Sequence, residues 1–292
     1  MAKLESLNGG LIPAVPVPFR GTVINETALR QYAAWMATQA VAGVAIWAHT
    51  GRGPHLTAEQ RRLVLEVWRE ALPGRLIIAG ARDLTMAIEA RRGHADAILA
   101  FPARENAVEY HRRLGRELPA ISFYLYEAAG GVAYDDDTIH QLMALPEVIG
   151  IKVATLDSVM TFQHIATLVQ QHPGKLLITG EDRFLGYSVM MGATTALVGM
   201  GSALTDIQAE LLSASQRGDS AGFQRLCSIC DRFGAATFTS PMEGYVRRML
   251  WSLAAEGIIP EDSCDDPWGP ALSSEDHENV VRAVRNARAA RA

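Results

Sequence analysis

The chain has 292 residues, 49% hydrophobic and 20% charged, with a formal net charge of −5. Such a composition buries a sizeable core, as one large domain or two small ones, and excludes disordered, fibrous and collagen-like chains. The acidic balance excludes a non-specific nucleic-acid binder, because that affinity comes from Lys and Arg displacing counterions.

Along the chain, short apolar runs bounded by Gly and Pro alternate with stretches of helical periodicity. The runs at 11–17 and 43–48 predict two buried strands. Thr57 and Gln60 then form a T-x-x-Q capping box that starts a helix. A third strand is predicted over 75–80, Asp83 opens the next helix, and strands over 95–101 and 120–126 follow. Asp135 to Asp137 precede a helix over 138–145, and the sixth run, 148–152, ends on Lys152. Asp157 opens the helix leading to the seventh run, 175–180, and the eighth lies at 195–199.

Eight strand and helix units over about 200 residues match an α/β fold, a closed (β/α)8 TIM barrel, since parallel strands need helical crossovers. A doubly wound open sheet is the competitor, and its early G-x-G-x-x-G is missing. From Thr205 the strand signal stops. Helices are predicted over 205–217 (T-x-x-Q again), 220–233, 241–256 and 273–290, with a Pro- and Asp-rich loop over 258–270. The expected organisation is a barrel over 1–204 that carries the active site, and a helical region over 205–292.

Cys227, Cys230 and Cys264 are too few and too clustered for a disulfide framework, which fits a reducing compartment. No apolar run approaches the ~18 residues of a membrane span. The opening MAKLESLNGG also lacks an apolar secretory core, so the expected location is the cytoplasm, with no membrane partner. The C-x-x-C at Cys227 and Cys230 lies inside a predicted helix without a second ligand pair. The eight histidines form no H-E-x-x-H, so no metal is expected.

In this barrel class the active site lies at the C-terminal ends of the strands. Of 27 basic residues 24 are Arg and three are Lys, at Lys3, Lys152 and Lys175. A lysine can give up its proton where an arginine cannot. Lys152 follows Val148-Ile149-Gly150-Ile151, so its ammonium either snorkels to solvent or sits where its charge is poorly solvated. A nucleophilic role near neutral pH needs a fall from ~10.4 towards ~7 to 8, roughly three units or ~4 kcal/mol.

Alternation places Ser122, Tyr124 and Tyr126 on one face of the preceding strand. A Tyr124 phenol beside the amine carries protons to and from a carbinolamine. Otherwise both tyrosines are core aromatics, the preferred reading for Tyr126. The segment from His49 to Gly53 is a Gly-bearing turn, either an anion nest completed by the Thr50 hydroxyl or simply a tight connection. Gly199 to Ser202 either cradles a carboxylate or phosphate or only permits close packing.

Together these elements resemble the dihydrodipicolinate synthase and N-acetylneuraminate lyase family of class I, Schiff-base-forming aldolases. The resemblance runs the length of the chain. It is carried by the start Gly10-Leu11-Ile12-Pro13-Ala14-Val15-Pro16-Val17-Pro18-Phe19, the turn from His49 to Gly53, Tyr124 in a Y-N-x-P position, and Gly150-Ile151-Lys152 in a G-x-K position. It implies that Lys152 forms an imine with pyruvate or another 2-oxo acid, that Tyr124 relays protons, and that Thr50 and the Gly51 backbone bind the carboxylate. Leu197 and Gly199 complete the substrate site. No metal or organic cofactor is implied, the covalent imine serving instead. The implied partners are a small-molecule 2-oxo acid and an aldehyde, in a homotetramer built as a dimer of dimers.

The chain departs from the pattern at several positions. Arg52 replaces a consensus Glu, His49 replaces a hydroxyl residue, and Ala103 and Arg104 stand where the synthases carry an aromatic pair that completes a proton relay across a dimer. Leu125-Tyr126-Glu127-Ala128-Ala129 lacks the arginine that grips the second carboxylate in the synthases. The expectation is therefore that Arg52, helped by Arg104, binds a second substrate anion, and that Glu127 or His49 assists proton transfer. Open readings are an aldolase or lyase on a 2-oxo acid, 4-hydroxy-tetrahydrodipicolinate synthase activity, a sugar-acid dehydratase using the same imine, and a non-catalytic keto-acid sensor.

Overall fold

Ten strands follow one another in the structure, a computed structural model that describes residues 4, 7–126 and 130–291. They are β1 (Leu11–Pro13), β2 (Phe19–Arg20), β3 (Val23–Ile24), β4 (Gly43–Ile46), β5 (Leu76–Ala81), β6 (Ala97–Ala100), β7 (Ala120–Leu125), β8 (Val148–Ala154), β9 (Leu176–Thr179) and β10 (Thr195–Val198). Eight form one parallel sheet in the order β1-β10-β9-β8-β7-β6-β5-β4. The sheet curls round on itself. The Ala42 N–H donates to the Leu11 carbonyl and the Val15 N–H to the Ala45 carbonyl, both at 3.0 Å, joining β4 to β1. All eight expected strands are present, and the TIM barrel stands. The hairpin of β2 and β3 was not foreseen.

Both faces of these strands are buried, which is why the sequence shows near-continuous apolar runs. Ile12, Ala45, Ile78, Leu99, Phe123, Ile178 and Leu197 fill the barrel interior. Val44, Ile77, Ile98, Ile151, Val153 and Val198 face the surrounding helices.

One irregularity matters for the site. At the start of the β7 and β8 pairing, Ala120 is opposite Val148, but Ile121 is opposite Gly150, so Ile149 is an extra residue in β8. Beyond this bulge Phe123, not Tyr124, is opposite Lys152. A one-residue shift moves every later side chain to the other face of its neighbour.

Helix starts follow the capping chemistry with two exceptions. The Thr57–Gln60 box is complete in both directions, and Asp83 and Asp135 cap as expected. Ser158, rather than Asp157, caps Val159–Gln170. The second T-x-x-Q forms no box: the Thr205 hydroxyl donates to the Gly201 carbonyl, and the Gln208 amide donates to the Met200 and Ala203 carbonyls, so both side chains pin the preceding turn. The C-terminal helices Thr205–Gln216, Ser220–Thr237, Tyr245–Ala255 and Ser274–Arg291 pack into the same apolar layer as the outer face of the barrel, through Ile207, Phe233, Tyr245 and Val284. Among the described residues no helix is long and apolar enough to cross a membrane.

Candidate active site

Lys152 points into the barrel near the C-terminal end of β8. It is 6% exposed, and its Nζ lies 4.1 Å from the centre of the Phe123 ring. Burial drives its pKa down, against the opposing pull of the Asp182 and Glu181 carboxylates. Burial also raises Asp182, which accepts the Met200 N–H at 2.6 Å. Glu181 is pushed up to about 8 by burial, although it accepts the Thr155 and Leu156 N–H groups at 2.7 and 2.8 Å and the Thr155 hydroxyl at 3.0 Å. The amine is thus kept from water and faced by buried carboxylates that are themselves destabilised as anions.

The expectation for Tyr124 is corrected. In an unbulged register it would stand opposite Lys152. The extra residue Ile149 turns it outward instead, into the helix-facing layer, with its ring 6.5 Å from that of Tyr134. Tyr126, read as a core aromatic, takes the place at the mouth. It lies just beyond β7, its N–H donates to the Ala154 carbonyl at 3.0 Å, and its ring packs on the inner cluster. Its hydroxyl donates to Glu243 Oε1 at 2.8 Å. Burial first, then the neighbouring Tyr245 and Glu243, push the phenol pKa up. The Asp182 charge acts on Lys152, Tyr126 and Tyr245 alike, so all three lie within the field of one buried carboxylate.

The turn after β4 is tightly wound, with Trp47 and Arg52 both in the left-handed region. The amides of Arg52 and Gly53 donate back to His49 and Ala48, so those two point into the turn. Thr50 is buried and shares a 3.1 Å hydrogen bond with the Tyr245 hydroxyl. Gly51 sits where a Cβ would stand 2.9 Å from the Val15 carbonyl, and Gly199 where one would stand 3.1 Å from Thr50 Oγ1 and 3.3 Å from the Tyr245 ring. Thr50, Gly51, Gly199 and the inward-facing Leu197 are therefore gathered at the same end of the barrel as Lys152.

Arg52 does not offer a free charge, contrary to expectation. Its guanidinium grips Asp266 at both oxygens, at 2.7 and 3.1 Å, and Glu243 Oε2 at 3.0 Å. Burial lowers its pKa, but the bonds to Asp266 outweigh that and hold it raised. Two carboxylates already neutralise the cation. Arg104 is exposed on the loop after β6, with its guanidinium 3.5 Å from the Gly131 carbonyl. Glu127 lies outside the described residues. His49 does reach the site, with Nε2 2.8 Å from Glu243 Oε2.

Glu243, Tyr245 and Asp266, all from the C-terminal region, were missed. Glu243 joins Tyr126, His49 and Arg52, and these bonds outweigh burial to hold its pKa down at about 2. Tyr245 stacks between Phe238 and His49. Both emerge from a turn pinned by Arg248, which is fully buried and donates to the carbonyls of Thr239, Ser240 and Pro241 at 2.8, 3.2 and 3.1 Å while pairing with Asp276. The available signals were the proline before Glu243 and a charged Arg248 within an otherwise apolar helix face; a helix starting at 241 obscured both.

Residues 7–287 match the model of the Dihydrodipicolinate synthetase family. The 4-hydroxy-tetrahydrodipicolinate synthase of Anaplasma marginale (strain Florida) is 28% identical over 201 residues, which cover 63% of this chain and 65% of that relative, just under two thirds of its length. The crystal structure of dihydrodipicolinate synthase from Oceanobacillus iheyensis superposes with a TM-score of 0.84 at 17% identity, over 99% of this chain and 100% of that one. That of N-acetylneuraminate lyase from Mycoplasma synoviae gives 0.78 at 19% identity, over 97% and 98%.

Proposed function

This chain belongs to the dihydrodipicolinate synthetase family, and on that premise we propose that it is a Schiff-base-forming lyase or aldolase acting on pyruvate or a related 2-oxo acid through Lys152. The observation that carries the proposal is the buried amine at the barrel mouth, held over Phe123 with its pKa lowered by desolvation. A neutral amine attacks the C2 carbonyl, one of its protons passes to the oxygen to give the carbinolamine, and a second proton, delivered to the hydroxyl by a neighbouring acid and made good from solvent, lets water leave as the iminium forms. We assign that transfer to the Tyr126 phenol, in the role first given to Tyr124; its packing on the inner cluster and the Asp182 charge it shares with Lys152 support the assignment. The Thr50 hydroxyl and the Gly51 amide take the substrate carboxylate, and Leu197 and Gly199 shape the floor.

The protonated imine is itself the electron sink, so the proposal calls for no metal or organic cofactor. Loss of a proton or of an aldehyde fragment gives the enamine, and addition to an aldehyde is the reverse step. The name carried by the curated relatives favours that addition, the 4-hydroxy-tetrahydrodipicolinate synthase reaction, as the second reading. Assembly as a homotetramer, a dimer of dimers, in the cytoplasm belongs to the same proposal and rests on the family alone.

Borohydride tests it. Pyruvate and NaBH₄ should leave one reduced pyruvyl group on Lys152 and none on Lys152→Ala, and the absence of adduct on the unaltered protein would sink the proposal. Adduct without turnover of any aldehyde or sugar acid would point to a keto-acid sensor. Loss of water from a sugar acid without pyruvate release would point to a dehydratase.

A further inference from the structure

A phenol that moves protons at an imine needs a partner that fixes its hydrogen and takes up charge as the proton moves. The Tyr126 hydroxyl donates to Glu243 Oε1 at 2.8 Å, and Glu243 Oε2 meets His49 Nε2 at 2.8 Å and Arg52 Nη1 at 3.0 Å. All four residues belong to one chain. We propose that Glu243, steadied by His49 and Arg52, is the positioning residue that makes Tyr126 a proton acceptor at the Lys152 imine.

By accepting the hydroxyl hydrogen, Glu243 leaves the oxygen lone pairs of Tyr126 for the reacting atoms. Tyr126 then takes a proton from C3 of the iminium. The C–H electron pair becomes the enamine double bond, and the C=N pair returns to nitrogen and cancels its charge. The phenol's own proton crosses to Glu243 and passes on to solvent, which restores the carboxylate that His49 and Arg52 favour as an anion, so the positive charge of the iminium leaves the site as that proton. The reverse transfer protonates the enamine.

The groups around Glu243 are His49 and Arg52 on the turn after β4, Asp266 behind Arg52, Tyr126 after β7 and Tyr245 two residues on, with Asp182 acting on both tyrosines. The Glu243 side chain is 34% exposed, which gives the proton an outlet to solvent. This inference rests on the imine proposed above.

Exchange of the pyruvate methyl protons in D₂O, followed by NMR, reads the C3 step without any acceptor. Borohydride trapping in parallel reads the imine and reports that the site is folded. Glu243→Gln should still reach the full adduct on long incubation, though more slowly, and should slow methyl exchange of the preformed imine by about tenfold to a hundredfold, and Glu243→Asp should restore part of the rate. Residues acting in series are non-additive, so the double variant Glu243→Gln/Tyr126→Phe should exchange no more slowly than Tyr126→Phe. Adduct with undiminished exchange in Glu243→Gln, or additive losses in the double variant, overturns the inference alone. No adduct on the unaltered protein overturns the imine proposal and this inference together.

Discussion

Gly180 leaves the space that the Lys152 stem occupies: a Cβ at Gly180 would stand 2.4 Å from Lys152 Cε and 2.9 Å from the Ala154 Cβ. The lysine stem can give way only by leaving this position, whereas Ala154, a rigid neighbour on the strand of Lys152, cannot. Gly180→Ala should therefore displace the amine, lower stability by about 1–3 kcal/mol and reduce borohydride-trapped pyruvate. A melt combined with trapping checks it. Trapping at the unaltered rate would mean that the lysine stem does not depend on this gap.

Asp182 sets where the amine titrates. Its charge favours the ammonium and so partly offsets the desolvation that lowers the Lys152 pKa. Asp182→Asn removes that charge, and the amine should lose its proton at lower pH. The rising limb of the trapping rate against pH, already below the ordinary lysine range, should move further down. A limb that moves up, or stays put, would show that Asp182 does not act on the amine.

The barrel could be read from the sequence because each strand is buried on both faces and each helix starts with a local cap, two signals that need no knowledge of the partner. Lys152 could be read for the same reason, as the one lysine closing an apolar run. Tyr124 and Tyr126 were exchanged because a bulge at Ile149 is a property of pairing and leaves no periodicity in either strand alone. Glu243 and Asp266 were invisible because nearly 200 residues or more separate them from the turn they serve. Arg52 was expected to be free because its two carboxylate partners lie at that distance in sequence.

Arg52 and Asp266 form a nearly fully buried pair, with side chains 6% and 1% exposed. Removing one partner strands the other charge, so Arg52→Ala and Asp266→Ala should each cost about 3–5 kcal/mol, seen as a lower urea midpoint. Replacing the pair with apolar residues of similar volume should cost much less. If Arg52→Ala instead left stability unchanged and only raised KM for an anionic substrate, the guanidinium would be a substrate-binding group after all.

His111 gives the fold a dependence on pH that is separate from the chemistry. Its Nδ1 donates to the Ala107 carbonyl at 2.7 Å, and the tautomer this fixes leaves Nε2 to accept from the Ser122 hydroxyl at 3.1 Å, inside the layer between β7 and the helix Ala107–Gly115. Burial lowers its pKa from 6.5 to about 4. Below 6.5 the unfolded chain takes up a proton that the folded one refuses, so stability falls as the pH drops from about 6.5 to about 4, by on the order of 3 kcal/mol from this group. Below about 4 both states are protonated and the contribution no longer grows. His111→Gln should be less stable than the unaltered protein at pH 7, because two buried hydrogen bonds change, yet lose less on acidification across that window. Urea melts at several pH values read both effects, and parallel curves for the two proteins would show that His111 titrates in the fold much as it does in water.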